Sequence, residues 1–107
     1  MIDASIIIVT YNTKDFTQRC LMSIYENVKD ISIEVICVDN NSKDGTSTMI
    51  KNNFPEVILI ENQENLGYAR ANNLGIDRSS GRYVLLLIIG TATNGGSLSK
   101  LSYFGCS

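Results

Sequence analysis

Asp39 follows the apolar run Val35-Ile36-Cys37-Val38 and precedes Asn40-Asn41-Ser42, so a carboxylate stands where a buried strand stops. In open α/β sheets, ligands bind outside the carboxyl ends of the parallel strands. A carboxylate there can accept from a base N–H or a ribose hydroxyl. Two more polar clusters have the same placement: Thr10-Tyr11-Asn12 after Ile6–Val9, and Asn65-Leu66-Gly67 ahead of a helical segment. Tyr11 offers a ring for stacking. Gly67 leaves room for a phosphate or sugar to approach backbone N–H groups at a helix start, and Arg70 can add a charge-assisted bond to phosphate. Each group also has a plainer reading. Asp39 to Ser42 suits a turn with a helix cap, Tyr11 suits packing, Gly67 a tight turn and Arg70 a solvated helix face. Together the clusters point to a nucleotide site.

The elements that must position these residues are legible from periodicity. Ser5–Thr10 and Ile33–Val38 are β-branched and nearly continuously apolar, as strands covered on both faces are. Thr13 can cap a helix from Lys14, with Phe16, Cys20 or Leu21, Ile24 and Val28 as its inward stripe. Ser42 or Asp44 can cap a second helix that buries Met49, Ile50 and Phe54 before Pro55 stops it. Val57–Ile60 reads as a third strand. Asn65–Asp77 reads as a helix with Ala69, Ala71 and Leu74 small or apolar and Gly75 weakening its last turn, and Arg82–Ile89 as a fourth strand. The order β-α-β-α-β-α-β predicts a Rossmann-like three-layer α/β fold on a parallel sheet.

Composition narrows the partners. The 107 residues fit one domain or part of one. A net charge of −2, with 9 scattered Lys and Arg, argues against nucleic acid. There is no histidine, and Cys20, Cys37 and Cys106 lack metal-ligand spacing, which predicts reduced thiols in a cytoplasmic protein. The longest apolar run, Val84–Ile89, is too short to span a bilayer, which takes about 20 residues. No Gly-x-Gly-x-x-Gly follows the first strand and no phosphate loop ending in Gly-Lys-Ser/Thr exists, so dehydrogenase and P-loop chemistries fall away. Oligomeric state is not readable.

Four segments, in order, carry a resemblance: 5–12 (Ser-Ile-Ile-Ile-Val-Thr-Tyr-Asn), 38–46 (Val-Asp-Asn-Asn-Ser-Lys-Asp-Gly-Thr), 65–76 (Asn-Leu-Gly-Tyr-Ala-Arg-Ala-Asn-Asn-Leu-Gly-Ile) and 81–87 (Gly-Arg-Tyr-Val-Leu-Leu-Leu). The chain resembles the N-terminal half of inverting glycosyltransferases of family 2, with the GT-A nucleotide-diphospho-sugar transferase fold, and is most similar to the rhamnosyltransferase-like branch. The resemblance implies a nucleotide-sugar donor as partner. It implies that Thr10, Tyr11 and Asn12 line the nucleotide pocket, that Asp39 bonds the base, and that Gly67, Arg70 and Asn73 lie close to the nucleotide or its diphosphate.

The departure matters as much. The family's fourth strand leads into Asp-x-Asp or Asn-Pro-Asp, whose last carboxylate holds the divalent Mg or Mn ion on the donor diphosphate. Here Ile88-Ile89-Gly90 follows Leu87, and all 11 carboxylates lie within the first 77 residues. No metal ligand and no catalytic base are therefore assigned. Residues 88–107 hold half of the 8 glycines and no acid. The expectation is a nucleotide-sugar-binding half-domain over 1–87 with a divergent flexible tail over 88–107: an apparently truncated glycosyltransferase, inactive or nearly so. Two rivals stand beside it. One is a small non-catalytic nucleotide-binding or regulatory module. The other is a receiver-like domain phosphorylated on Asp39, which would want paired acids after the first strand and a lysine after the last.

Overall fold

A computed structural model describes residues 1–87 and, as backbone, the strand at 101–105. Four parallel strands form its centre: β1 (Ala4–Thr10), β2 (Ile33–Asp39), β3 (Ile58–Glu61) and β4 (Tyr83–Leu87). Three helices connect them: α1 (Lys14–Asn27), α2 (Thr46–Asn53) and α3 (Tyr68–Arg78). A fifth strand, β5 (Leu101–Gly105), runs antiparallel to β4, giving the order β3-β2-β1-β4-β5. The sequence reading did not foresee β5. Residues 88–100 and 106–107, with Gly90, Cys106 and most of the expected flexible tail, lie outside the described residues.

Strand alternation divides the core into two layers. Ile6, Ile8, Val35, Cys37 and Leu87 face α1 and α2, where they meet Cys20, Leu21, Met49 and Ile50. Ile7, Ile36, Val38 and Val84 face the other way, onto Ala71 of α3. The expected three-layer α/β fold is thus observed. The strands run outward from β1 to β3 and then jump to β4 on the far side of β1. The carboxyl end of β1, where the strand order reverses, is the usual place for a ligand in such sheets.

The α3 stripe differs from the sequence expectation. Ala71, Asn72 and Gly75 are the buried positions, while Ala69 and Leu74 are exposed. Gly75 is a close-approach glycine. A Cβ there would stand 2.5 Å from Ile7 Cγ2 and 3.3 Å from Val38 Cγ2, so the missing side chain lets the helix lie directly on β1 and β2.

Polar ties close the amino end of the sheet. Glu34 on β2 accepts from the Ser5 hydroxyl at 2.6 Å, the Ser80 N–H at 2.7 Å and the Ser80 hydroxyl at 3.0 Å. Gly81 N–H in turn donates to Ser5 Oγ at 2.8 Å. Burial opposes the charge on Glu34, but these bonds, helped by Arg78, outweigh it and hold the carboxyl below the ordinary glutamate range. Cys20 and Cys37 are free and buried. Burial pushes the Cys20 thiol up to about 11 and the Cys37 thiol higher still, so neither is a nucleophile at neutral pH.

Candidate functional site

β1 and β2 pair so that Thr10 lies opposite Asp39, which places both at the carboxyl edge. The Thr10 hydroxyl donates to Asp39 Oδ1 at 2.6 Å. The Ser42 hydroxyl donates to the same oxygen at 2.6 Å, and the Ser42 N–H donates to Oδ2 at 2.9 Å. A carboxylate oxygen accepts about two donors. Oδ1 is therefore filled, and Oδ2 keeps one acceptor position. The carboxylate is only 3% exposed, so that single position determines what Asp39 can still bind.

The loops after β1 and β2 are laced together reciprocally. Asn12 N–H donates to Ser42 Oγ at 2.8 Å, and Lys43 N–H donates to Asn12 Oδ1 at 2.7 Å. Asn12 (φ 52°) and Asn41 (φ 68°) are left-handed, a conformation asparagine tolerates better than most residues. Asp44 holds two helix starts at once. Its Oδ2 accepts from the Lys14 N–H of α1 at 3.0 Å, and its Oδ1 accepts the hydroxyl and, at 3.1 Å, the N–H of Thr46 of α2. Burial works against its charge, yet these bonds keep the carboxyl below the ordinary aspartate range. Thr13 stands at the N-cap position of α1, as expected, but its hydroxyl shares a 3.0 Å bond with the Thr17 hydroxyl and bonds no helix N–H.

Asn40 joins this edge to α3. Its Nδ2 donates to the Gly67 carbonyl at 3.3 Å, and its Oδ1 accepts from Asn62 Nδ2 at 2.9 Å and Leu66 N–H at 3.3 Å. Gly67 caps α3 at φ 86° and ψ 166°, backbone that favours glycine, with its N–H on Asn65 Oδ1 at 2.8 Å. No heavy atom lies within 4 Å of a Cβ built there, so the helix start faces open space.

Of the sequence-predicted residues, Thr10, Asn12 and Asp39 come together in one bonded cluster, and Gly67 joins it through Asn40. Tyr11 stands at the same edge, 48% exposed, a ring open to solvent. Arg70 and Asn73 lie exposed on α3. Sequence reasoning missed Asn72, which is 6% exposed and whose Oδ1 has no hydrogen-bond partner. Leaving such a group unpaired costs about 1–3 kcal/mol. The signal was available: positions 68, 71, 72 and 75 share one helix face, with Asn72 on it and Asn73 off it.

Among the described residues, no three His, Cys, Asp or Glu side chains gather into a metal-binding group. Among the same residues, no helix is long and apolar enough to cross a membrane.

Comparison with known proteins agrees with this geometry. The family model described as glycosyl transferase family 2 matches residues 5–87. The glycosyltransferase GlyA of Streptococcus pneumoniae is 34% identical over 83 residues, covering 75% of this chain and 12% of that protein. A mannosyltransferase from Pyrobaculum calidifontis, solved in complex with GDP-Man and Mn2+, superimposes with a TM-score of 0.70 at 29% identity, over 79% of this chain and 26% of that one. TarS 1-349 of S. aureus, solved in complex with UDP, gives a TM-score of 0.73 at 22% identity over 81% of this chain and 27% of that one, a likeness of fold. The chain thus spans between 12% and 27% of the length of these three proteins.

Proposed function

The chain belongs to glycosyl transferase family 2, and from that premise we propose that residues 1–87 are the donor-recognition half of a nucleotide-sugar-dependent glycosyltransferase. One observation carries the reading. Thr10, Asn12, Asp39 and Ser42 are bonded into a rigid edge at the topological reversal, beside the open start of α3. In this reading the free position on Asp39 Oδ2 accepts an N–H of the base, and Tyr11 covers its face. Gly67 lets the diphosphate approach the first N–H groups of α3, with Arg70 and Asn73 beside it. The mannosyltransferase neighbour, in complex with GDP-Man and Mn2+, supports a diphospho-sugar as ligand. The rhamnosyltransferase-like branch is the finer part of the proposal, and it rests on the overall resemblance of the four motif segments.

Transfer requires more than recognition. A hydroxyl acceptor must be deprotonated by a positioned base, and no Asp or Glu follows Asp77 in this sequence. Ile88-Ile89-Gly90 likewise brings no carboxylate to the end of β4. We therefore propose that this 107-residue chain binds donor without transferring its sugar. Calorimetric titration with UDP-, GDP- and dTDP-sugars, each with and without manganese, tests both parts. The expected result is binding of one nucleotide class that persists without metal, and no sugar release in a transfer or hydrolysis assay. Strictly metal-dependent binding contradicts the missing-ligand argument, and absence of any binding contradicts the donor site. A preference for dTDP-sugars bears on the branch.

A further inference from the structure

Asn40 is 2% exposed, and it bonds to the end of β1, the exit of β3 and the start of α3 at once. Its backbone N–H donates to the Thr10 carbonyl at 2.9 Å. Its Oδ1 accepts from Asn62 Nδ2 at 2.9 Å and from the Leu66 N–H at 3.3 Å. Its Nδ2 donates at 3.3 Å to the Gly67 carbonyl, the same oxygen that takes the Ala71 N–H in the first turn of α3. Among the described residues, every hydrogen bond that reaches residues 63–67 from outside that segment and α3 comes from the Asn40 amide. No atom lies within 4 Å of a Cβ built on Gly67, so the turn is held by these bonds rather than by side-chain contact there.

Strand alternation explains the division between neighbours. Asp39 shares the face of Val35 and Cys37, toward α1 and α2, and its carboxylate holds Ser42. Asn40 follows on the face of Ile36 and Val38, toward α3. Two adjacent residues thus serve the two sides of one edge. An amide suits the second place because it accepts and donates together. A carboxylate there would take the Asn62 and Leu66 donors but has no proton for the Gly67 carbonyl. We infer that Asn40 is a positioning residue of the donor site: it fixes the start of α3, the diphosphate side, relative to Asp39, the base side, and does not itself touch the donor. The inference rests on the nucleotide-sugar reading and deepens it.

The test is NMR titration of the full 107-residue chain, comparing wild type with Asn40→Ala and using UDP and GDP as probes. In wild type the bound diphosphate is expected to shift the amide signals of residues 41–43 and of residues 67–70. In Asn40→Ala the affinity is expected to weaken about 3- to 10-fold. The shift changes at 67–70 shrink, while those at 41–43 persist. A purely structural role would lower the unfolding midpoint and leave both sets of shift changes in proportion. That outcome, or equal affinity of wild type and variant, overturns the inference while the donor site stands. If wild type binds neither diphosphate, the donor-site reading fails and this inference falls with it. Should Asn40→Ala not fold, hydrogen exchange on the wild-type chain decides. The Leu66 amide, held by Asn40, is expected to exchange more slowly than those of its exposed neighbours Glu64 and Asn65, and an equal rate overturns the inference.

Discussion

At the scale of single residues, the site is an exercise in spent and unspent acceptors. Asp39 is a buried carboxylate held by Thr10 and Ser42, and its remaining acceptor position matters only while the others stay filled. Thr10→Val keeps the shape and removes one donor to a charged group. It is expected to lower stability by about 1.5–3 kcal/mol, and an unchanged midpoint in urea unfolding would sink this account of Asp39. Asp44 makes a pH prediction. Its carboxyl titrates below the ordinary value of 3.8 in the folded chain, so the ionised form is bound more favourably in the native state than in the unfolded one. The stabilisation is complete above that ordinary value and is lost as pH falls through the lower folded one. Asp44→Asn is expected to flatten the part of the acid limb that lies below about pH 4. Unfolding midpoints measured from pH 6 down to 2 check this, and an acid limb of unchanged steepness counts against the double-capping role.

At the scale of elements, α3 is the part whose placement matters most. Its start forms one wall of the candidate site, and Gly75 brings its middle against the sheet. Gly75→Ala puts a methyl 2.5 Å from Ile7 Cγ2, a contact that cannot persist without a shift of the helix or of the Ile7 side chain. Overpacking of this kind costs about 1–3 kcal/mol, against the roughly 1 kcal/mol that alanine gains over glycine in a helix. A net loss of stability is expected in thermal unfolding, and a gain would show that helix and sheet are not in close contact. Gly67→Ala separates the two roles of glycine on this element. No atom crowds that site, so its cost is backbone strain at φ 86°, about 1–3 kcal/mol. A fall in donor affinity is expected beside that cost, because the strained turn presents the first N–H groups of α3.

For the whole molecule, a ligand that binds only the folded chain must stabilise it. Donor at one hundred times its dissociation constant adds about 2.7 kcal/mol, which for a domain of this size raises the unfolding midpoint by roughly 10 °C or more. Differential scanning fluorimetry with and without the nucleotide sugar reads this directly, and no shift at saturating donor argues against the site. Much of the molecule was legible from residue order. Apolar runs of β-branched residues mark β1 and β2, polar residues mark their carboxyl ends, and the motif segments identify the family, because strand burial and chain turning depend on near neighbours. The pairing of polar atoms was not legible. Asp39 meets Thr10 across 29 positions, Asp44 reaches the start of α1 across 30, and Gly81 meets Ser5 across 76. The same holds for the turn of α3 that buries Asn72 and exposes Asn73. Hydrogen bonds and close packing join groups through space, so which acceptors remain for a ligand was settled only when the strand order 3-2-1-4 brought these segments together.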